Sequence, residues 1–531
     1  MRLLDSIINK KYLSPSKTNL IKNLYWASLG KVCNLASGLI VGIIVARYLG
    51  PEQYGLMNYV ISYVFLFQTI AVFGLDSIEV REEAKNVTDN NNIIGTAFVL
   101  KLILGVIMMI ATIITSLLIE SDSYTTILVG IYSLTIVLNS FNVIRNYFTS
   151  IVQNEYIVKA EISRTAIGIG LKLVLLFFKS SLTVFVIAYM IDYLLLASGY
   201  YMAYKYKVGR IKDWIFDCEY AKKLLKASFP LMLTSTAVLM YQRIDQVMIG
   251  QMLNKESVGY FAIASRFVEV LIYVPMVLAQ TIMPILVKYK EESKDLYIEK
   301  SQKFMNISFW STLILSALTS LLAWWIVNLT FGKNYLPAVI ILQIMSFKAA
   351  SVALSNTAGT MIIIEGKQKY AIVRDLIGCV VCVSLNSIML PKIGILAAAI
   401  IAIISNIAAG YIADAFIPSY RRIFLQQTQT LIMGWKDILT INAYKKENNN
   451  ICYSYHYYTL LDSESTFIRS SNVGISTLLQ YHCLFSSHFL QFLLILMTSM
   501  ECMVSMKIIL RSPPSYYSVY NGLSYYCLYT I

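Results

Sequence analysis

The chain has 531 residues, 57% of them hydrophobic and 14% charged, with 44 Lys and Arg against 30 Asp and Glu for a formal net charge of +14. A soluble domain carries roughly 25% charged residues, so this composition excludes an ordinary water-soluble enzyme. There is no Walker A, dinucleotide-binding or HExxH pattern, and all three His lie beyond residue 450, so the sequence predicts no catalytic function and no bound cofactor.

At about 20 residues per bilayer crossing, the apolar stretches predict twelve helices. They fall near 22–46, 54–76, 94–119, 125–148, 161–178, 181–204, 228–252, 257–286, 303–328, 336–360, 370–390 and 393–417. The fifth is the least apolar, because it carries Arg164 and Lys172. The hairpin sequence Leu49-Gly50-Pro51-Glu52-Gln53-Tyr54-Gly55 returns as Leu253-Asn254-Lys255-Glu256-Ser257-Val258-Gly259, 204 residues further on, each copy between two apolar runs. A doubled six-helix unit is a common build for secondary transporters. The fold class predicted is an all-α polytopic membrane protein of about twelve helices, in two six-helix bundles related by a pseudo-twofold axis.

The expected organisation is a cytoplasmic N-terminal tail (1–21), a first bundle (22–204), a cytoplasmic amphipathic linker (205–227), a second bundle (228–420) and an atypical C-terminal tail (421–531). Basic residues crowd alternate connections, including Lys205, Lys207, Arg210 and Lys212 and then Lys222, Lys223 and Lys226. The intervening connections hold only Arg47, Lys179, Lys255, Lys333 and Lys392. That asymmetry predicts a cytoplasmic N-terminus. It makes the positive charge a membrane-surface charge and excludes a nucleic-acid partner. All connections on the poorer side are short, which excludes a large domain there. The tail past about 440 reads as an appended, frameshifted or fused segment, and its apolar run 489–500 is short for a span. Cys379 and Cys382 match C-x-x-C but lie in an apolar helix and read as small buried hydrophobes.

Charges inside the bilayer are costly and usually face a cavity. Lys31 shares a helix face with Ser28, Asn34, Gly38 and Gly42, a stripe that either admits a neighbouring helix or leaves room for a ligand. Arg243 stands among Gln242, Asp245 and Gln246; Arg266, Glu269, Tyr273 and Gln280 form one polar line. Lys31, Arg243 and Arg266 are the candidate substrate-binding cations, since Arg donates two parallel bonds to phosphate. Asn34, Gln242, Gln246, Tyr273 and Gln280 are candidate cavity-lining groups. Asp245 and Glu269 are candidates for coupling to an H+ or Na+ gradient or for an ion pair with a neighbouring arginine. Pro230 and Pro275 are candidate hinges.

The run Ala46-Arg47-Tyr48-Leu49-Gly50-Pro51-Glu52-Gln53-Tyr54-Gly55 resembles the hairpin after the first helix of the polysaccharide-export flippases of the Wzx type. Arg243-Ile244-Asp245-Gln246-Val247-Met248-Ile249-Gly250 resembles their seventh helix. The resemblance spans about 15–440. It implies a place in the bacterial cytoplasmic membrane and movement of an undecaprenyl-pyrophosphate-linked oligosaccharide of O-antigen or capsule type. It also implies cationic central residues, matched here by Lys31, Arg243 and Arg266, and partnership with the lipid-linked oligosaccharide, membrane lipid and a polymerase or other assembly proteins. A drug/cation antiporter of the same fold and a peptidoglycan lipid-precursor flippase are the alternatives.

Overall fold

Two hairpins built on the repeated sequence set the frame of the molecule. In the computed structural model, which describes residues 15–85 and 90–437, α1 (Pro15–Val72) breaks at Gly50, whose φ of +76° is open only to a residue without Cβ. Pro51 follows at the first position of the new helix, where its missing N–H costs nothing. The chain reverses there: the Tyr54 hydroxyl comes back beside Gly42, twelve residues earlier. The second hairpin joins α8 (Cys218–Met252) to α9 (Lys255–Glu292), with the Asn254 side chain capping α9 on the Ser257 amide.

Between these hairpins run α2 (Leu75–Lys85), α3 (Asn90–Ile119), α4 (Ser123–Leu138), α5 (Asn142–Ser150), α6 (Asn154–Phe177) and α7 (Leu182–Lys207). After α9 come α10 (Lys294–Thr330), α11 (Ala338–Met345), α12 (Lys348–Ile364), α13 (Ala371–Ile393), α14 (Ile395–Ile407), α15 (Ala413–Phe416) and α16 (Arg421–Met433). Among the described residues nine helices are long and apolar enough to cross a membrane, with Ala36–Lys85 counted once although Gly50 divides it. α8 qualifies as a pair bent by 44°. α6 is missing from that set, as expected of a helix holding Glu161, Arg164 and Lys172. The twelve crossings predicted are all present as helices. The protein is an all-α, multi-pass membrane protein of two six-helix bundles. On α3, exposed Ile103, Ile107, Ile110, Ile114 and Leu117 recur every three or four residues, the stripe of a helix turned toward acyl chains.

The two halves meet at the hairpin end. A Cβ on Gly55 would overlap the carbonyl oxygen of Lys255, and one on Gly259 would overlap that of Pro51. Each repeat thus touches its counterpart through matching main-chain atoms, which places the pseudo-twofold axis between these glycines. One apolar core spans both halves at this end, taking in Val45, Tyr59, Ile249, Phe261 and Tyr335. Cross-half bonds add to it: Tyr335 donates to the Ala46 carbonyl (2.7 Å), Arg47 to that of Leu329, and Ser62 to Gln246 (2.7 Å). Lys255 stands over the Tyr59 ring and 3.5 Å from Glu120, which also receives bonds from Tyr59 and Gln251. At the opposite end the cores are separate. Leu75, Ile144, Phe148 and Tyr204 pack in the first half; Met305, Leu354 and Tyr420 pack in the second, with Leu286, Tyr297 and Phe304 alongside.

Three boundaries differ from expectation. The linker is not a separate amphipathic helix over 205–227. Helix α7 runs to Lys207, a 3-10 turn covers Ile211–Asp213, and α8 already begins at Cys218. Asp217 caps it by accepting from Glu219 and Tyr220 amides, and those bonds hold its carboxyl below the usual range. Of the apolar positions expected to face the membrane surface (Trp214, Ile215, Phe216, Tyr220, Leu224 and Leu225), Leu224 is buried against the first half, with Ala221 beside it. Trp214 is wedged between Phe98 and Tyr204. The C-terminal tail begins later than 421: α16 docks on α10, with Gln302 donating to Thr430 (2.9 Å) and Trp310 to the Thr430 carbonyl (2.9 Å). The chain divides into units 1–444 and 445–531. The second unit, including the run 489–500, lies outside the described residues.

Candidate functional site

Arg243 stands nine residues before the end of α8 and Arg266 eleven after the start of α9. At 1.5 Å per residue both lie about 13–17 Å from the hairpin end, near the middle of a core about 30 Å thick. Arg243 Nη2 donates to Glu269 Oε1 at 3.0 Å, and its guanidinium lies 5.8 Å from the centre of the Phe65 ring in the first half. Arg266 has Tyr54 and Tyr189 of the first half, and Glu269, as its electrostatic neighbours. One carboxylate therefore serves two guanidinium groups, and a net positive charge remains. The side chains of Arg243 and Glu269 are 28% and 37% exposed, so the pair is not sealed in a dry contact. The sequence spacing pairs Glu269 with Arg266, three residues before it; the hydrogen-bonded partner is instead Arg243, one helix away.

The other sequence-predicted residues separate into distinct places. Gln242 is exposed, Tyr273 is half-buried and Gln280 is exposed farther along α9. Gln246 does not line a free space: it is buried and accepts from Ser62, tying the halves together. Asp245 turns away from both arginines into the second half. There it accepts from Asn386 Nδ2 (2.7 Å) and Cys382 Sγ (3.1 Å) on α13, with Lys348 of α12 as a nearby cation. Cys382 is buried as expected, and its thiol also serves that carboxylate. Pro230 lies inside α8, not at its start, near the 44° bend; α9 runs through Pro275 as one helix.

Lys31 lies on α1, and its side chain falls outside the described residues. Its stripe-mate Asn34 is described, and it faces α6 of its own half. Asn34 Nδ2 donates to Glu161 Oε2 (3.1 Å), and its Oδ1 accepts from Arg164 Nη2 (3.0 Å) and Thr165 Oγ1 (3.1 Å). Tyr200 donates to the other Glu161 oxygen (3.2 Å). This network was missed in the sequence. Its signal was the spacing of Glu161, Arg164, Thr165 and Gly168 along one face of the least apolar helix.

A family model described as "Polysaccharide biosynthesis protein" matches residues 20–290, just over half of the chain. The chain belongs to this family. Its fold is shared with solved transporters. An inward-facing multidrug resistance MATE family transporter of the MOP superfamily superposes with a TM-score of 0.57 at 16% identity, covering 76% of this chain and 99% of that one. The lipid II flippase MurJ, in an inward closed conformation, gives 0.59 at 14% identity over 78% and 92%. A MOP superfamily transporter from Pyrococcus furiosus gives 0.52 at 15% over 80% and 96%. None of the curated proteins matches the chain by sequence. At such identities the structural likenesses speak for the fold of this family member, and the site must be argued from its own residues.

Proposed function

We propose that the chain is a flippase that carries an undecaprenyl-pyrophosphate-linked oligosaccharide repeat unit, of O-antigen or capsule type, from the inner to the outer leaflet of a bacterial cytoplasmic membrane. The observation that carries this reading is the arginine pair: Arg243 and Arg266 lie at mid-depth, face the other half and, among the described residues, have Glu269 as their shared carboxylate. Such a surplus of guanidinium suits a pyrophosphate, which accepts parallel N–H bonds from the planar fork. It disfavours a hydrophobic cation. The shared core at the hairpin end and the separate cores at the other support a state closed at the hairpins and accessible from the opposite side. With the N-terminus in the cytoplasm, that state faces inward. Alternating access then consists of breaking the Ser62–Gln246 and Glu120–Lys255 contacts while the prenyl tail stays in lipid. Glu269, held by Arg243, and Asp245, held by Asn386, are the groups placed to exchange H+ or Na+ as the halves rock. A peptidoglycan lipid-precursor flippase is the second reading, since MurJ shares the fold and such a precursor shares the pyrophosphate lipid.

The test is surface glycan display in a strain lacking the gene. Arg243→Ala and Arg266→Ala lose display while the protein remains in the membrane, and Arg→Lys at either position retains part of it. Normal display in both alanine variants overturns the reading. Complementation of a peptidoglycan-precursor flippase defect, with no effect on surface glycan, selects the second one.

A further inference from the structure

Away from the arginine pair, the first half buries a second set of charges that the proposed transport step leaves unused. It sits at the end opposite the hairpins, where α2, α3 and α5 meet. Lys101, 4% exposed, donates to Asp76 Oδ1 (2.6 Å) and Glu79 Oε2 (2.7 Å). Asn146 of α5 donates to the same two carboxylates, at 2.9 and 2.5 Å. Among the described residues the one further donor beside this group is the Ser150 hydroxyl. Glu83, one turn further along α2 and 1% exposed, has no hydrogen-bond partner among the described residues at either oxygen, and Glu79 Oε1 has none among them either. Ser150 beside Glu83 donates its hydroxyl to the Tyr147 carbonyl instead (2.7 Å).

The surroundings are apolar: Leu75, Ile78, Phe148 and Tyr204 share this core. The charged and titratable neighbours are Glu79 and Asp76 on α2, Lys101 on α3, Arg145 on α5 toward Asp76, and Tyr204 on α7. The start of α8 meets the segment at Gly74, through the backbone of Ser228–Met232. A bare carboxylate with no donor in such a core is the least favourable form of that group, whereas a carboxylic acid is tolerated.

The segment is also poised to move. The helix ending at Val72 and α2 are separated by Phe73 (φ +52°) and Gly74 (φ +68°), and a non-glycine residue in the left-handed region stores strain. A Cβ at Gly74 would meet Met232 N at 2.7 Å, so the second half leans directly on this joint.

We propose that Glu83, supported by Glu79, is a proton-binding site of the transport cycle, loaded in this conformation and emptied when α8 moves against the Phe73–Gly74 joint and admits water to α2. The proton is the ligand; no other ion is required by the donors present. This site is distinct from Asp245 and Glu269, and loading can be read without knowing the lipid carried.

The experiment uses dicyclohexylcarbodiimide, which modifies carboxyl groups that hold a proton in an apolar setting. Full-length protein in bilayers is treated across a neutral-to-alkaline pH series and mapped by mass spectrometry. The expected result is an adduct on Glu83 at neutral pH, which falls as the pH rises and drops to background in Glu83→Gln. In transport-competent vesicles Glu83→Gln also loses stimulation by an imposed pH gradient, while Arg243→Ala keeps the adduct and loses transport. An unlabelled Glu83 beside labelled control carboxyls overturns the proposal. So does a Glu83→Gln variant that keeps full pH-gradient stimulation.

Discussion

The inner face of α6 in the first half and the inner face of the second half handle charge in opposite ways. In the first, the inward charges of α6 find partners within the half: Glu161 and Arg164 bond Asn34, and Lys172 forms an ion pair with Asp192 whose side chains are 5% and 12% exposed. Gly168 is part of that fit, since a Cβ there would collide with the Asp192 carboxylate. In the second, Arg243 reaches the Phe65 ring of the first half, Arg266 has Tyr54 and Tyr189 of that half as neighbours, and the two divide one glutamate. A buried charge with its own partner holds a bundle together, and a partly exposed one that shares its partner, as Arg243 does, keeps capacity for a ligand. Sequence position alone does not separate the two kinds, because both are basic residues in apolar helices.

This contrast can be broken most forcefully at α6. Lys172→Met strands a buried carboxylate, and removal of one partner of a buried pair costs about 3–5 kcal/mol; the expected outcome is a large fall in thermal stability of the purified protein. Arg243→Met leaves a partly exposed Glu269 and should change stability far less while abolishing glycan display. Comparable melting losses in the two variants would erase the distinction. A smaller effect is expected between the halves. Ser62→Ala leaves the buried Gln246 oxygen without its donor, a loss of about 1–3 kcal/mol. It should raise the reactivity of a cysteine reporter placed at Tyr54 toward a reagent supplied from the hairpin side. The smallest is at a helix start outside the bilayer. Asp122 caps α4 through Thr125 and the Tyr124 amide, and these bonds hold its carboxyl below the usual range. A depressed carboxyl stabilises the fold above its unfolded pKa, and that contribution is lost as the pH falls through the folded one. Asp122→Ala should therefore cost about 1 kcal/mol at neutral pH and close to nothing in acid, read as two melting series.

The helix pattern was legible because apolar length is a strong signal in a bilayer, and α6 was the least clear helix because Arg164 and Lys172 interrupt its apolar run. The repeat was legible too, down to the glycine that each copy contributes to the axis. The linker was misplaced because Ala221 and Leu224 carry the same periodicity whether they face headgroups or a protein core. The site was half legible. Arg243, Arg266 and Glu269 do gather, whereas Asp245, two residues and about 200° round the helix from Arg243, points into the second half, and Gln246, three residues on and near Arg243's own face, is taken up by Ser62. Glu161 and Glu120 became visible only through partners more than a hundred residues away.

Gly55 and Gly259 hold corresponding places in the two copies, and each abuts the other's main chain. A contact between equivalent atoms is the mark of an isologous interface, the kind a symmetric homodimer forms. A six-helix ancestor meeting a second copy of itself would have closed through this same pair. In one polypeptide, positions away from this contact carry no such mutual constraint. These two remain yoked, because a side chain gained by either is a collision for both.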